Sequence, residues 1–107
     1  MKNIIHETEY LACVYLKGFG FADEQIIPLV ELGKKNLSEA LTNLKDILNK
    51  DTYSIKELDD ALHALKGLLL QLGNTQLAEE LNAIRLELNN PKTVTSIETL
   101  LFNDTKI

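Results

Sequence analysis

Leu37, Leu41, Leu44 and Leu48 recur at i, i+4, i+7 and i+11. At about 100° per residue these four share one stripe of an α-helix, so that the chain buries them together only by being helical there. Leu77, Leu81, Ile84 and Leu88 form a second stripe of the same kind. Leucine dominates an apolar fraction of 45%, a bias toward helix over strand. Each stripe leaves a helix with one apolar side, and such helices must bury those sides against one another.

Breaks in the pattern divide the chain. Gly18 and Gly20 end a first helix expected over Ile4 to Leu16. A second is expected from Glu24 to Asn49, with Asp23 as N-cap. Pro28 lies inside it and predicts a bend or a later true start, because proline lacks the backbone donor. The third helix has the clearest start. Ser54-Ile55-Lys56-Glu57 has capping-box spacing, and Tyr53 and Leu58 are placed for a hydrophobic staple. Gly73 suits the left-handed residue that closes it. A fourth helix is expected from Thr75 to Leu88, ended by Asn89-Asn90-Pro91. Thr95-Ser96-Ile97-Glu98 predicts a short fifth. The expected fold is all-α: one domain over residues 1–107, an up-down antiparallel four-helix bundle with an additional short terminal helix.

The third helix carries the candidate chemistry. With His63 taken as zero, Leu58, Ala61, Leu65, Leu68, Leu69 and Leu72 fall between roughly 140° and 240°. Lys56, Asp59, Asp60, Lys66, Gly67 and Gln71 fall within about 80° of the histidine. His63 is therefore expected to point away from the core. An exposed, unprotonated imidazole is a competent nucleophile near neutral pH. Lys66, one turn on, supplies an ammonium able to offset phosphoryl charge. Gly67 leaves room for close approach, and a glycine inside a helix costs about 1 kcal/mol against alanine.

His63-Ala64-Leu65-Lys66-Gly67, followed by Gly73, resembles the H-x-L-K-G signature of histidine-phosphotransfer domains. The resemblance extends from about Leu58 to Leu88. It implies a phosphorelay carrier of two-component signalling. His63 would accept a phosphoryl group and exchange it with the aspartate of a response-regulator receiver domain, or take it from a hybrid histidine kinase. Lys66 would help neutralise the group and Gly67 would leave space for it. Such a phosphoprotein is not an autonomous enzyme: it has no nucleotide site and no cofactor, and the receiver brings the acidic pocket and Mg²⁺.

Geometry adds Arg85. If the third and fourth helices are antiparallel about Gly73-Asn74, Arg85 stands level with His63, either steadying the imidazole or phosphoryl oxygens or simply solvated. Leu70 departs from the family pattern, in which positions 68 to 70 are usually small. It lies about 20° from the His63 direction, on the face expected to be wet. With Gln71 it is read as part of a docking patch for the receiver; hindrance of docking or self-association are the other readings. The alternative for the whole chain is a helical bundle that binds a receiver or another signalling partner without carrying phosphate.

Other features narrow the field. A net charge of −5 argues against nucleic acid or an anionic membrane as partner. Cys13, the single cysteine, cannot form an internal disulfide and reads as a small buried hydrophobe. His6 beside Glu7 and Glu9 falls short of the three or four ligands a metal needs, so no metal is expected. No signal peptide or membrane span is recognisable, which makes a cytoplasmic monomer the expectation.

Overall fold

The computed structural model describes residues 4–88, 90 and 92–102. The chain is all-helical: α1 (Ile4–Gly18), α2 (Asp23–Leu48), α3 (Ile55–Gln71), α4 (Thr75–Arg85), α5 (Thr93–Ile97) and a closing π-helical turn over Glu98–Phe102. Helix α1 packs on α2, α2 on α3, α3 on α4, and α4 on α5.

The main core joins Leu37, Leu44 and Ile47 of α2 to Leu58, Leu62, Leu65 and Leu69 of α3 and to Leu77, Ala78 and Leu81 of α4. Ile97 and Leu101 close one end of it. The α2 stripe departs from expectation at one edge. Leu41 and Leu48 are half-buried, and Ile47 is buried in their place. The C-terminal segment packs near that end of α2, where the Phe102 ring lies 5.8 Å from the Lys45 ammonium. A second, smaller cluster gathers Ala12, Ile26, Val30 and Leu72, with Cys13 half-buried against it.

Several expected boundaries shift for local reasons. Helix α1 continues past Leu16 to Gly18. Helix α2 runs unbroken through Pro28, so there is no late start. Its N-cap is Ala22, not Asp23. The Gln25 Oε1 accepts the Ala22 N–H at 2.9 Å, supplying a cap that needs no side chain at position 22. Asp23 instead opens the helix and pairs with Lys17 at 3.6 Å. Helix α4 stops at Arg85, short of Leu88, and Leu86 is 79% exposed. The chain is drawn off there toward α5, where the Thr93 hydroxyl donates to the Glu87 carbonyl at 2.6 Å. Asn89 and Pro91 of the expected break lie outside the described residues. The Thr95–Glu98 capping box is not formed, because α5 has already begun at Thr93.

The α3–α4 turn is the most tightly specified joint. Gly73 has φ +81°, and its N–H donates to the Leu70 carbonyl while the Asn74 N–H donates to that of Leu69 at 2.8 Å. That pair of bonds is a Schellman motif. Asn74, almost fully buried, then caps α4 by accepting the Leu77 N–H, and its amide donates to the Thr8 hydroxyl of α1 at 2.9 Å.

The two α3–α4 glycines give opposite expectations. A Cβ on Gly73 would meet Tyr15 Cβ and Cγ at 2.6 Å, and the positive φ adds strain. Gly73→Ala should therefore lose about 2 kcal/mol or more of stability. A Cβ on Gly67 meets nothing within 4 Å. Gly67→Ala should gain about 0.5–1 kcal/mol from helix propensity alone. Urea unfolding of both variants checks this; a destabilised Gly67→Ala would mean that its surroundings are misread.

Candidate functional site

Helix α3 begins with Ser54 as N-cap, whose hydroxyl accepts the Glu57 N–H at 3.0 Å. The reciprocal half of the expected capping box is absent, for the Glu57 carboxylate pairs with Lys50 instead. Tyr53 and Leu58 both join the main core. This start fixes the rotation of the helix. Leu58, Ala61, Leu62, Leu65 and Leu69 are buried and His63 is exposed.

The buried arc is turned slightly from the expected one. Leu62 is fully buried, whereas Leu68 is half-buried. Helix α4 explains the first, because it packs along the Leu62 edge of α3. The second follows from a shallow groove between α2 and α3, lined by Leu29, Leu32, Gly33, Leu68 and Gln71.

The α4 side of His63 is a polar clasp. His63 and Arg85 stand equally far from Asn74 along the chain, as do Lys66 and Asn82, and both pairs meet. That symmetry is the signature of an antiparallel hairpin. Arg85 Nη1 lies 3.2 Å from His63 Nδ1. The same guanidinium grips Asp59, through Nε to Oδ1 at 2.8 Å and Nη2 to Oδ2 at 3.5 Å. Lys66 Nζ donates to Asn82 Oδ1 at 3.2 Å, so its ammonium is directed to α4 and not to the imidazole.

The clasp has a defined protonation logic. Arginine is a donor only, so its contact with Nδ1 requires a lone pair there. In the neutral ring the proton then belongs on Nε2. Among the described residues no protein group is hydrogen-bonded to Nε2. The hydrogen bond from Arg85 holds the Asp59 carboxyl below its ordinary value, against an opposing effect of burial. The hydrogen bond from Asp59 in turn raises Arg85.

Away from the clasp the surface around His63 is open. Gly67 adds no bulk, and Leu70 is 42% exposed beside the exposed Gln71. Across the groove Leu29 and Leu32 of α2 are also exposed. The site residues named from sequence thus fall into two groups. Lys66 and Arg85 form the polar wall with α4, whereas Gly67, Leu70 and Gln71 stand outside it, Gln71 alone of the three lining the groove. The sequence placed Asp59 on the face around His63 without giving it a role. It stands four residues before His63, on the same helical face, and that spacing was the available signal.

Among the described residues no three His, Cys, Asp or Glu side chains converge as metal ligands, and no helix is long and apolar enough to cross a membrane. His6 Nδ1 lies 3.9 Å from Glu9. Compared with known protein families, with curated proteins and with solved structures, the chain matches none.

The Asp59–Arg85 link has a pH signature. Folding lowers this carboxyl from the ordinary 3.8, so the link's contribution to stability is complete above that value and is lost as pH falls through the folded midpoint. A carboxyl ¹³C NMR titration should place Asp59 below 3.8 in the native protein and move it upward in Arg85→Ala. An unmoved midpoint would show that Arg85 does not hold this carboxylate in solution.

Proposed function

We propose that this chain is a histidine-phosphotransfer domain, a phosphorelay carrier acting through phospho-His63. The observation that carries the reading is the placement of His63. It is exposed on the middle of a capped helix, opposite a leucine core, with open space over Gly67 one turn away. In this reading α1 to α4 are the up-down antiparallel bundle, and α5 with the π-helical turn is the additional terminal piece. The domain exchanges its phosphoryl group with a receiver aspartate and accepts it from such a domain or from a hybrid histidine kinase. It acts in the cytoplasm as a monomer, without a cofactor of its own. It is no enzyme on its own, because each transfer needs a partner's acidic site.

The docking surface in this proposal lies away from the clasp. Leu70 is exposed two turns on from the imidazole, Leu68, Leu29 and Leu32 line the α2–α3 groove, and Gln71 gives that groove a polar edge. An apolar patch beside a polar reactive group suits a transient protein partner, which must be held close and then released. The second reading, a bundle that binds a receiver without carrying phosphate, draws support from the same leucines and from Lys66 being turned to Asn82.

Transfer from a phosphorylated receiver of the same cell distinguishes the two. The carrier reading expects acid-labile, alkali-stable phosphate on the protein, absent from His63→Gln. Receiver binding with no label on the wild type would favour the second reading. Label that persists in His63→Gln would overturn the assignment of the residue. Leu70→Ala should weaken receiver binding by roughly 1–2 kcal/mol, about five- to thirtyfold in Kd, if a leucine of this exposure is buried on docking. An unchanged Kd removes Leu70 from the docking surface.

A further inference from the structure

We infer that Arg85, held by Asp59, is a brake on the loss of phosphate from phospho-His63, an inference that rests on the carrier reading above. The argument starts from what each nitrogen can do. Arg85 occupies Nδ1, so the phosphoryl group belongs on Nε2, the nitrogen turned away from the clasp. In the neutral phosphorylated ring, Nε2 is bonded to phosphorus and Nδ1 keeps its lone pair. That lone pair is what Arg85 is already placed to hydrogen-bond.

Discharge needs the same lone pair. When the P–N bond breaks, its electron pair stays on Nε2. The leaving group is a neutral imidazole only if Nδ1 has first taken a proton from solvent; otherwise it is an imidazolate, a far poorer leaving group. The phosphoryl group passes to a water oxygen, or to a carboxylate of a receiver. Arg85 competes with the solvent proton for Nδ1 and cannot supply one itself, since a guanidinium does not deprotonate in this range. Loading follows the reverse course. The ring takes its proton onto Nδ1, Nε2 attacks phosphorus, the aspartyl P–O bond breaks to give the carboxylate, and Nδ1 then releases its proton to solvent. Arg85 must leave Nδ1 for this to occur, so the clasp opposes turnover in both directions until it is moved.

The strength of the clasp comes from its second grip. A lone surface arginine would give up the imidazole at little cost. Here the Asp59 carboxylate fixes the guanidinium through two nitrogens, and the Arg85 side chain is only 20% exposed. The other charges bearing on the cluster are Lys56 and Asp60, both on α3 and both secondary to the Asp59–Arg85 bond. Helix α2 meets α3 through the leucine core; its Lys34 is engaged with Glu9 and Glu31 and its Lys45 lies over Phe102, while Lys50, beyond the end of α2, pairs with Glu57. Lys66, the remaining cation on this face of α3, is on Asn82.

The test needs no partner protein. The full chain in a His6→Gln background is phosphorylated with phosphoramidate, the reagent is removed, and loss of phosphate is followed by ³¹P NMR between about pH 5 and 9. Arg85→Gln should lose phosphate about five- to tenfold faster near pH 7.5, with its rate profile displaced toward higher pH, the size expected for losing one hydrogen bond at an exposed ring. Asp59→Asn should change in the same direction by less. Independently, ¹⁵N NMR of the unphosphorylated wild type should show the Nε2–H tautomer of His63, giving way to a mixture in Arg85→Gln. Coincident rate profiles for wild type and Arg85→Gln, or a wild-type ring protonated on Nδ1 alone, would overturn the brake. Failure of the carrier reading would appear elsewhere, as absence of transfer from receivers while these lifetimes still differ.

Discussion

Asn74 ties three helices together. Its backbone closes α3, its carbonyl oxygen caps α4 and its amide holds Thr8 of α1. A buried amide is costly unless its bonds are made, so the two helix ends and the turn of α1 that it joins have little freedom to slide. The pairing of α3 with α4 is set by that joint. A shift of α4 by one residue would rotate its side chains by about 100° and carry Arg85 off the imidazole. The candidate site therefore depends on a turn well removed from it along both helices.

The site has two unlike sides because α3 has two unlike neighbours. Helix α4 comes close enough to bury Leu62 and to bring Arg85, Asn82 and Asp59 into one polar wall. Helix α2 leaves a groove along α3, lined by leucines and by Gly33, which is packed closely against Leu72. His63 sits on the ridge between them. The clasp occupies one side of the ring, and the leucine-lined groove lies toward the other. In the proposed function these sides separate the control of the imidazole from the docking of its partner.

Where the sequence reading failed, the cause was a neighbour that periodicity does not reveal. The α2 stripe was read as Leu37, Leu41, Leu44 and Leu48, but a helix contacted from a second direction buries more than one stripe, and Ile47 entered the core. Leu68, expected in the core, is half-buried, and Leu62, outside the expected arc, is fully buried where α4 packs on α3. Asp23 was the better capping residue by type, yet Gln25 reaches the backbone from the other side of the cap. Helix α4 ends at Arg85 where the chain turns away toward α5, to which the Thr93 hydroxyl ties the Glu87 carbonyl. Periodicity records how a helix would bury one face; it carries no record of how many neighbours share that helix.

The sequence by itself determined the helical elements, the capped start of α3, the left-handed glycine at its end and the outward direction of His63. Each of these is local: it depends on the 3.6-residue repeat, on a hydroxyl three residues from an N–H, or on a missing Cβ. Only the tertiary structure decided what the imidazole touches. Arg85 was level with His63 in any antiparallel hairpin, but two outcomes were open, solvation or contact. The choice went to contact because Asp59 lies within reach of the same guanidinium. A carboxylate, an arginine and a histidine from two helices make one unit only when packing sets their distances.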